Sequence, residues 1–356
     1  MRFKLPLFLA ASTAAFLQMP PTLSAHDTFS AERTIDQPRM EVVFVLDTTG
    51  SMSGMIAGAK QKVWAIANKL KSAQPTPEIR FGLVGYRDRG DAYVTKVFGL
   101  SGNLDEVYTH LYGFEANGGG DEPESVNEAL YKAVRDLQWS TSPDVLRVIF
   151  LVGDARPHMD YQDDVKYPAT CRLANEKGIL INTLQCGRLD GTEAVWHDIA
   201  GKTNGAYAAI LQDGGSIKIE TPYDQEIIRL NLELNATIIL YGSKAEQDNA
   251  AKNSSLLASI SAEGMADRSS YFSKSETGSV IAGKGDLVVD LMNGRQRLET
   301  IDAKQLDPKL QALPAPARTE VITEKVEKRR ALQAELAAVV AKRDAVVADK
   351  LKAMEG

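Results

Sequence analysis

Residues 41–55 have the sequence EVVFVLDTTGSMSGM, in which an unbroken apolar run, Val42–Leu46, ends directly at Asp47. A run rich in β-branched residues predicts a strand that is buried on both faces, as in a parallel sheet covered by helices. The stretch 54–71 that follows has apolar residues at helical spacing, so a polar loop joins a strand to a helix. Such a loop lies at the carboxyl edge of the sheet, where open α/β sheets bind their ligands.

This loop carries three oxygen donors at alternate positions, Asp47, Thr49 and Ser51. One carboxylate and two hydroxyls directed at one point suit Mg²⁺, which prefers small oxygen ligands and keeps several waters. The alternative is a polar connection in which Ser51 or Ser53 caps the helix. The position of the motif between a buried strand and an amphipathic helix favours the metal.

The chain continues this alternation of strand and helix to about residue 215. The residue pattern predicts strands at 79–86, 92–98, 145–152, 179–185 and 206–210, and helices at 103–112, 125–138, 168–177 and 192–200. This order predicts an α/β fold built on a doubly wound, mostly parallel sheet.

On these residues the chain resembles the von Willebrand factor A (VWA) family, with residues 41–215 as the domain. The segment DTTGSM is similar to that family's metal-ion-dependent adhesion site, which usually has the form Asp-x-Ser-x-Ser with Thr allowed in the middle. The resemblance implies the doubly wound fold and a bound Mg²⁺ or Mn²⁺ ion.

A second loop departs from the common pattern of the family. Common members supply a Thr in a Gly-Gly-Thr context, whereas residues 118–123 read GGGDEP and contain no Thr. The I-like VWA domain of integrin β subunits is more similar, because its loop has the form Asp-x-Pro-Glu, which here is DEPE at 121–124. The resemblance implies that Glu124 reaches the metal and that Asp154, in VGDARPH, acts on it mainly through water.

The integrin pattern also implies a second cation, for which Ca²⁺ is the candidate. Asp88, after IRFGLVGYR, and Asp121 match the acids that serve that ion. Acids this close together are costly without a second cation or a partner such as Arg87 or Arg89. For Asp121 and Glu124 the alternative is the ordinary preference for acids at a helix N-terminus.

The chain changes character beyond the domain. Residues 216–307 predict a helical or mixed extension with a long helix at 221–251, and residues 308–318, PKLQALPAPAR, predict a Pro/Ala linker. Residues 319–356 predict an amphipathic helix whose apolar stripe is roughly heptad-spaced, as in a coiled coil. This helix either packs on its own chain or forms a homo-oligomer.

Residues 1–25 are typical of a signal peptide, with a positive start, an apolar segment and a small-residue cleavage site at Ala25. The alternative, an uncleaved membrane anchor, is disfavoured because the apolar run is short and prolines at 20 and 21 interrupt it. We expect a polar lead-in at 26–40 and an exported mature chain without a membrane span, periplasmic if the source is Gram-negative and otherwise secreted. A net charge of −6 argues against a nucleic-acid partner.

The chain has two cysteines, Cys171 and Cys186. Export permits a disulfide, and a helix start and a strand end would both lie at one edge of the sheet. Such a bridge would stabilise the fold by roughly 3 kcal/mol in the chain-entropy model. The alternative is two separate buried thiols.

The resemblance implies a protein-binding module rather than an enzyme. Asp47 and Glu124 would neutralise one divalent cation and leave a coordination position open for an acidic side chain of a partner. A metal-assisted hydrolase is one alternative, although the sequence has no G-x-S-x-G elbow and no P-loop lysine after its GGG run. The other is a structural protein whose metal only braces the loops.

Overall fold

The computed structural model describes residues 37–355 except 72, 74, 121, 211–218, 259 and 274–283. The predicted signal peptide and most of the predicted lead-in therefore lie outside the described residues. The strands are β1 (Arg39–Asp47), β2 (Glu78–Tyr86), β3 (Thr95–Ser101), β4 (Val145–Gly153), β5 (Ile179–Cys186) and β6 (Tyr207–Ile210). They form one sheet in the order β3-β2-β1-β4-β5-β6, in which β3 alone is antiparallel to its neighbour. The predicted doubly wound, mostly parallel fold is confirmed.

Helices cover both faces of this sheet. One face carries α1 (Ser53–Lys71) and α2 (Leu104–Tyr112), and the other carries α3 (Val126–Arg135), α4 (Tyr167–Glu176) and α5 (Thr192–Lys202). Val42 belongs to the core on the first face and Val43 to the core on the second, and neither has exposed surface. The central strand is apolar throughout because alternate side chains enter two different cores.

The two cysteines lie on opposite faces of the sheet, and the predicted disulfide is wrong. Both are buried free thiols: Cys171 packs in the core beneath α3, α4 and α5, whereas Cys186 packs in the core beneath α1 and α2. Successive side chains of a strand point to opposite faces, and Ile179 and Ile181 on β5 already face α4 and α5. Cys186 follows Ile181 by an odd number of positions, so its side chain lies on the opposite face and points away from Cys171.

The chain beyond the sheet forms a helical extension. Its helices are α6 (Asp224–Asn235), α7 (Lys244–Ala258), α8 (Ala262–Ser273), α9 (Leu287–Met292), α10 (Pro308–Gln311) and α11 (Ala315–Glu355). The predicted single helix at 221–251 is wrong, because Gly242 has a φ of +98° and Ser243 then caps α7 through reciprocal hydrogen bonds with Glu246. None of the described helices is both long and apolar enough to cross a bilayer.

The predicted linker at 308–318 is also wrong, because this segment is helical at both ends and packed. Leu310 on α10 is 7% exposed, and Arg318 in the first turns of α11 donates to the carbonyl oxygens of Leu310 and Leu313. Pro316 lies in the first turn of α11, where a missing backbone N–H costs nothing.

The long helix α11 packs on its own chain. Its residues Ile322, Leu332, Leu336 and Val340 are buried against the rest of the extension. Arg329 is fully buried on the same helix and donates to Asp286 at 2.8 Å. The sequence left two alternatives for this apolar stripe, packing on its own chain or self-association, and in the structure the stripe packs on its own chain.

The extension shares a core with the sheet domain. Met265 and Tyr271 on α8 belong to the same buried cluster as Trp64 on α1, and the rings of Trp64 and Tyr271 are 5.7 Å apart. The extension therefore packs against the face of the sheet domain that carries α1 and α2.

Candidate metal centre

The loop after β1 holds its three predicted donors together. Thr49 donates to Asp47 Oδ1 through its backbone N–H at 2.8 Å and through its hydroxyl at 2.6 Å. The Thr49 and Ser51 hydroxyl oxygens are 3.3 Å apart, and one turn of 3-10 helix follows at Gly50–Met52. The alternate spacing in the sequence thus gives the convergence of oxygens that it predicts.

Glu124 reaches this loop from the segment before α3. Its backbone N–H donates to Arg156 O at 3.0 Å, and its carbonyl accepts from His158 N at 3.1 Å. A Cβ placed on Gly119 would lie 3.2 Å from Glu124 Oε1 and 3.3 Å from Thr49 Cβ. Gly119 therefore lies against both Glu124 and Thr49, and a side chain at this position would crowd the two ligand candidates.

Two carboxylate oxygens at this centre are buried without a hydrogen-bond partner among the described residues, Asp47 Oδ2 and Glu124 Oε2. Buried polar atoms are normally hydrogen-bonded, so orphaned oxygens of two neighbouring acids need an explanation. A divalent cation with oxygen ligands explains both, and the donor set of two carboxylates and two hydroxyls fits Mg²⁺ or Mn²⁺. The described residues contain no cluster of three or more His, Cys, Asp or Glu side chains placed around one ion, so this site depends on its hydroxyls.

The electrostatics of the centre also favour a cation. Burial raises the pKa of Asp47 to about 7 against the hydrogen bonds from Thr49, and Asp154 raises it further. Burial also raises the pKa of Glu124 to about 9, with further contributions from Asp47, Asp88 and Asp154. Asp154 follows β4 and is 8% exposed, so it lies where its charge acts on both ligand candidates. Without a cation, Asp47 and Glu124 retain protons near neutral pH, chiefly because burial disfavours their charged forms.

Two residues that sequence reasoning missed support the centre. Tyr86 ends β2 directly opposite Asp47, and a Cβ on Gly153 would collide with the Tyr86 hydroxyl and stand 3.2 Å from Asp47 Oδ2. Asp91 accepts from the backbone N–H groups of Asp88 at 3.2 Å and Gly119 at 3.0 Å, which fixes the glycine loop. The position of Tyr86 at the end of a predicted strand could have indicated that it lies near the metal loop. No comparable sequence pattern indicates the role of Asp91.

Asp88, which the resemblance assigns to a second cation, is bound by protein groups. Its Oδ1 accepts from Ser125 Oγ and its Oδ2 accepts from the Tyr161 hydroxyl, each at 2.8 Å. Both oxygens are therefore engaged by protein donors. Asp121, the other predicted ligand of that ion, lies outside the described residues.

The family of the chain follows from this fold and site together with a sequence match. A model of the von Willebrand factor A domain matches residues 41–222, a little over half of the chain, and the chain belongs to this family. The matched region contains all of the sheet except the first two residues of β1, and it contains all the ligand candidates.

Several characterised proteins are similar to this region. The von Willebrand factor A domain-containing protein 7 of Homo sapiens is 36% identical over 152 residues, which are 42% of this chain and 16% of that protein. The alpha-protein kinase vwkA of Dictyostelium discoideum is 28% identical over 132 residues, which are 37% of this chain and 20% of that protein. The chain thus matches a fifth or less of the length of these relatives.

Proximal thread matrix protein 1 from the mussel byssus is similar among solved structures, in a form described with a zinc occupied MIDAS motif. It is 16% identical and has a TM-score of 0.38 over 50% of this chain and 43% of that chain. The family assignment rests on the match over 41–222 and not on this distant similarity.

Proposed function

We propose that this chain is a metal-dependent protein-binding module that captures an acidic side chain of a partner. The observation that carries the proposal is the pair of orphaned buried oxygens, Asp47 Oδ2 and Glu124 Oε2, beside the hydroxyls of Thr49 and Ser51. Membership of the VWA family supports an interaction role, since domains of this family generally bind rather than catalyse.

The centre has candidate metal ligands on one side and an exposed glycine loop on the other. Asp47 and Glu124 would hold Mg²⁺ or Mn²⁺ with Thr49 and Ser51, and Asp154 would act through water. A bound ion would supply one Lewis-acidic position to a partner carboxylate. The neighbouring Gly118–Gly120 are exposed and carry no side chains, so a partner side chain can approach their backbone.

Binding is favoured over hydrolysis by the orientation of the nearest histidine. His158 is 3% exposed; its Nδ1 lies 2.8 Å from Asp160 Oδ1 and its Nε2 lies 3.4 Å from Asp88 Oδ2. Both ring nitrogens thus face carboxylates of the loops, which suits a packing role better than that of a base acting on metal-bound water.

We propose export from the sequence of residues 1–25, and N-terminal sequencing of the mature chain tests it by the presence or absence of cleavage after Ala25. We do not propose a homo-oligomer through α11, because residues 322, 332, 336 and 340 of its apolar stripe pack against the rest of the extension.

A peptide selection tests the capture of an acidic partner. The full mature chain is immobilised in Mn²⁺, a random peptide library is applied, and bound peptides are released with EDTA. We expect the released peptides to share an acidic residue whose replacement by Asn or Gln abolishes binding, and we expect Asp47→Asn protein to release none. Peptides that bind equally well with the amide, or in EDTA, would contradict the proposal.

A further inference from the structure

The carboxylate of Asp88 accepts two hydrogen bonds from the protein and has a histidine nitrogen close by. It is 4% exposed and lies at the start of the loop after β2. Ser125 Oγ donates to its Oδ1 and the Tyr161 hydroxyl donates to its Oδ2, each at 2.8 Å. His158 Nε2 lies 3.4 Å from the same Oδ2. A buried carboxylate is costly unless it is compensated, and here donors on two separate segments compensate it.

Tyr161, which supplies one of these donors, is itself held by two neighbouring side chains. Its ring stacks on His158 with centroids 4.0 Å apart and planes 11° apart. The Arg89 guanidinium lies 4.2 Å from the same ring and pairs with Asp164 at 2.7 Å. The hydroxyl that donates to Asp88 is therefore presented by a ring with little freedom to move.

The same contacts hold the metal ligand Glu124. Its backbone is joined to the 156–158 segment by the two hydrogen bonds already described, and the next residue, Ser125, is joined to Asp88 by its hydroxyl and to Arg87 O by its N–H at 3.3 Å. Glu124 is thus clamped between the loop after β2 and the loop after β4, and Asp88 is the point at which these two loops meet.

We propose that Asp88 is a positioning residue which, together with Ser125, Tyr161 and His158, takes the place of a second cation and fixes Glu124 for a single metal ion. This inference rests on the proposed function, because it concerns the affinity of the same site. It assigns to Asp88 a structural task that the integrin pattern gives to a metal. The brace is defined as Asp88, Ser125, Tyr161 and His158.

The proposal has two consequences for metal binding. The chain binds one divalent ion, and Ca²⁺ added beside Mn²⁺ occupies no further site. Removing one donor of the brace weakens Mn²⁺ binding about tenfold without touching a ligand, which is the usual effect of losing a group that orients a ligand.

Calorimetric titration of Mn²⁺ into the chelated full chain tests this. Tyr161→Phe removes one donor, Asp88→Asn removes the charge and replaces one acceptor oxygen with an amide NH₂ group, and the double variant combines the two. Tyr167→Phe is the matched control, since the Tyr167 hydroxyl also donates to a carboxylate, that of Asp198 on α5 at 2.9 Å, which is not part of the brace. Melting temperatures in EDTA report whether each variant is folded.

We expect one site in the wild type, an affinity about tenfold lower in Tyr161→Phe than in Tyr167→Phe, and a double variant no weaker than Asp88→Asn, because both changes remove one contact. A second ion in the wild type that disappears in Asp88→Asn would overturn the inference, as would equal affinities of the two Phe variants. Both outcomes leave the first metal site standing. Only a wild type that binds no Mn²⁺ would refute the proposed function, and the inference with it.

Discussion

Asp105 on α2 and Arg268 on α8 form a two-point ion pair buried between the VWA domain and its extension. Arg268 Nε lies 2.6 Å from Asp105 Oδ1 and Nη2 lies 2.6 Å from Oδ2, with 7% and 0% of the two side chains exposed. The guanidinium also lies 5.8 Å from the ring centroid of Trp64 on α1. Burial raises the pKa of Asp105, and the charge of Arg268 opposes that rise. The pair therefore joins the VWA domain to the extension, which the sequence pattern predicts as two separate regions.

Breaking this pair from one side should be strongly destabilising. We expect Asp105→Ala to lower the free energy of unfolding by about 3–5 kcal/mol, because it leaves the Arg268 charge buried and uncompensated. Urea denaturation in EDTA measures this without the metal. Asp248→Ala, which removes an exposed ion pair with Lys244, is the control and should change little. Equal small effects of both substitutions would show that the extension is not fastened through Asp105.

Metal affinity should rise with pH. The pKa of Asp47 is raised to about 7 and that of Glu124 to about 9, so a cation must displace protons from the folded site. We expect Mn²⁺ to bind roughly tenfold or more tightly at pH 8 than at pH 6, with protons released to the buffer. Calorimetry in buffers of different ionisation enthalpy measures both quantities. A pH-independent affinity would contradict the proton occupancy described here.

The same groups set the sign of the pH dependence in the absence of metal. The folded chain keeps protons on Asp47 and Glu124 that the unfolded chain loses above their ordinary values of 3.8 and 4.5. Their contribution to stability is therefore present at low pH and is lost as pH rises through about 7 and then about 9. As a control on the affinity measurement, Asp47→Asn and Glu124→Gln should flatten the fall in melting temperature between pH 5.5 and pH 8 in EDTA.

A methyl group at Gly119 should weaken the metal site. Gly119 has a φ of +79°, and a Cβ there would press on Glu124 Oε1 and Thr49. We expect Gly119→Ala to cost about 1–2 kcal/mol of stability and to lower Mn²⁺ affinity. Gly120→Ala is the control, since a Cβ at that position meets nothing within 4 Å. Calorimetry measures the Mn²⁺ affinity of both variants. Equal affinities would show that the space beside Gly119 does not matter for metal binding.

Both cysteines should be unreactive thiols in the folded chain. Burial raises the pKa of Cys171 to about 11 and also raises that of Cys186, so neither forms a thiolate at pH 8. We expect a thiol reagent to label neither residue in the native protein and both after denaturation without reductant. If denaturation released no thiols until reductant was added, the two residues would be bridged and the placement of β5 would be wrong.

The sheet and the first metal loop could be predicted because their signals are local. The run Val42–Leu46 and the spacing of Asp47, Thr49 and Ser51 lie within one strand and one turn. The placement of Glu124 beside them required a resemblance, since no local pattern says which loop reaches the end of β1.

Other features of the structure could not be predicted from the sequence. Some have only a short signal that the composition of the segment outweighs, and others depend on contacts between residues far apart in the chain. The S-x-x-E capping box at Ser243 and Glu246 marks the start of α7, but it is a short signal inside a segment whose composition favours one continuous helix. Proline-rich composition favoured a linker where Pro316 begins a helix. The brace around Asp88 brings together residues 37 and 73 positions away in the chain, Ser125 and Tyr161, and no sequence pattern links them.

The most direct test of the metal centre is a calorimetric titration of Mg²⁺ and Mn²⁺ into the chelated full chain and three variants. Asp47→Asn and Glu124→Gln each remove one ligand charge, and Glu122→Gln changes an exposed acid of the same loop as the matched control. We predict one bound ion in the wild type and in Glu122→Gln, and none in the two ligand variants, with circular dichroism spectra unchanged. A wild type that binds neither ion, or ligand variants that bind as well as Glu122→Gln, would contradict the account.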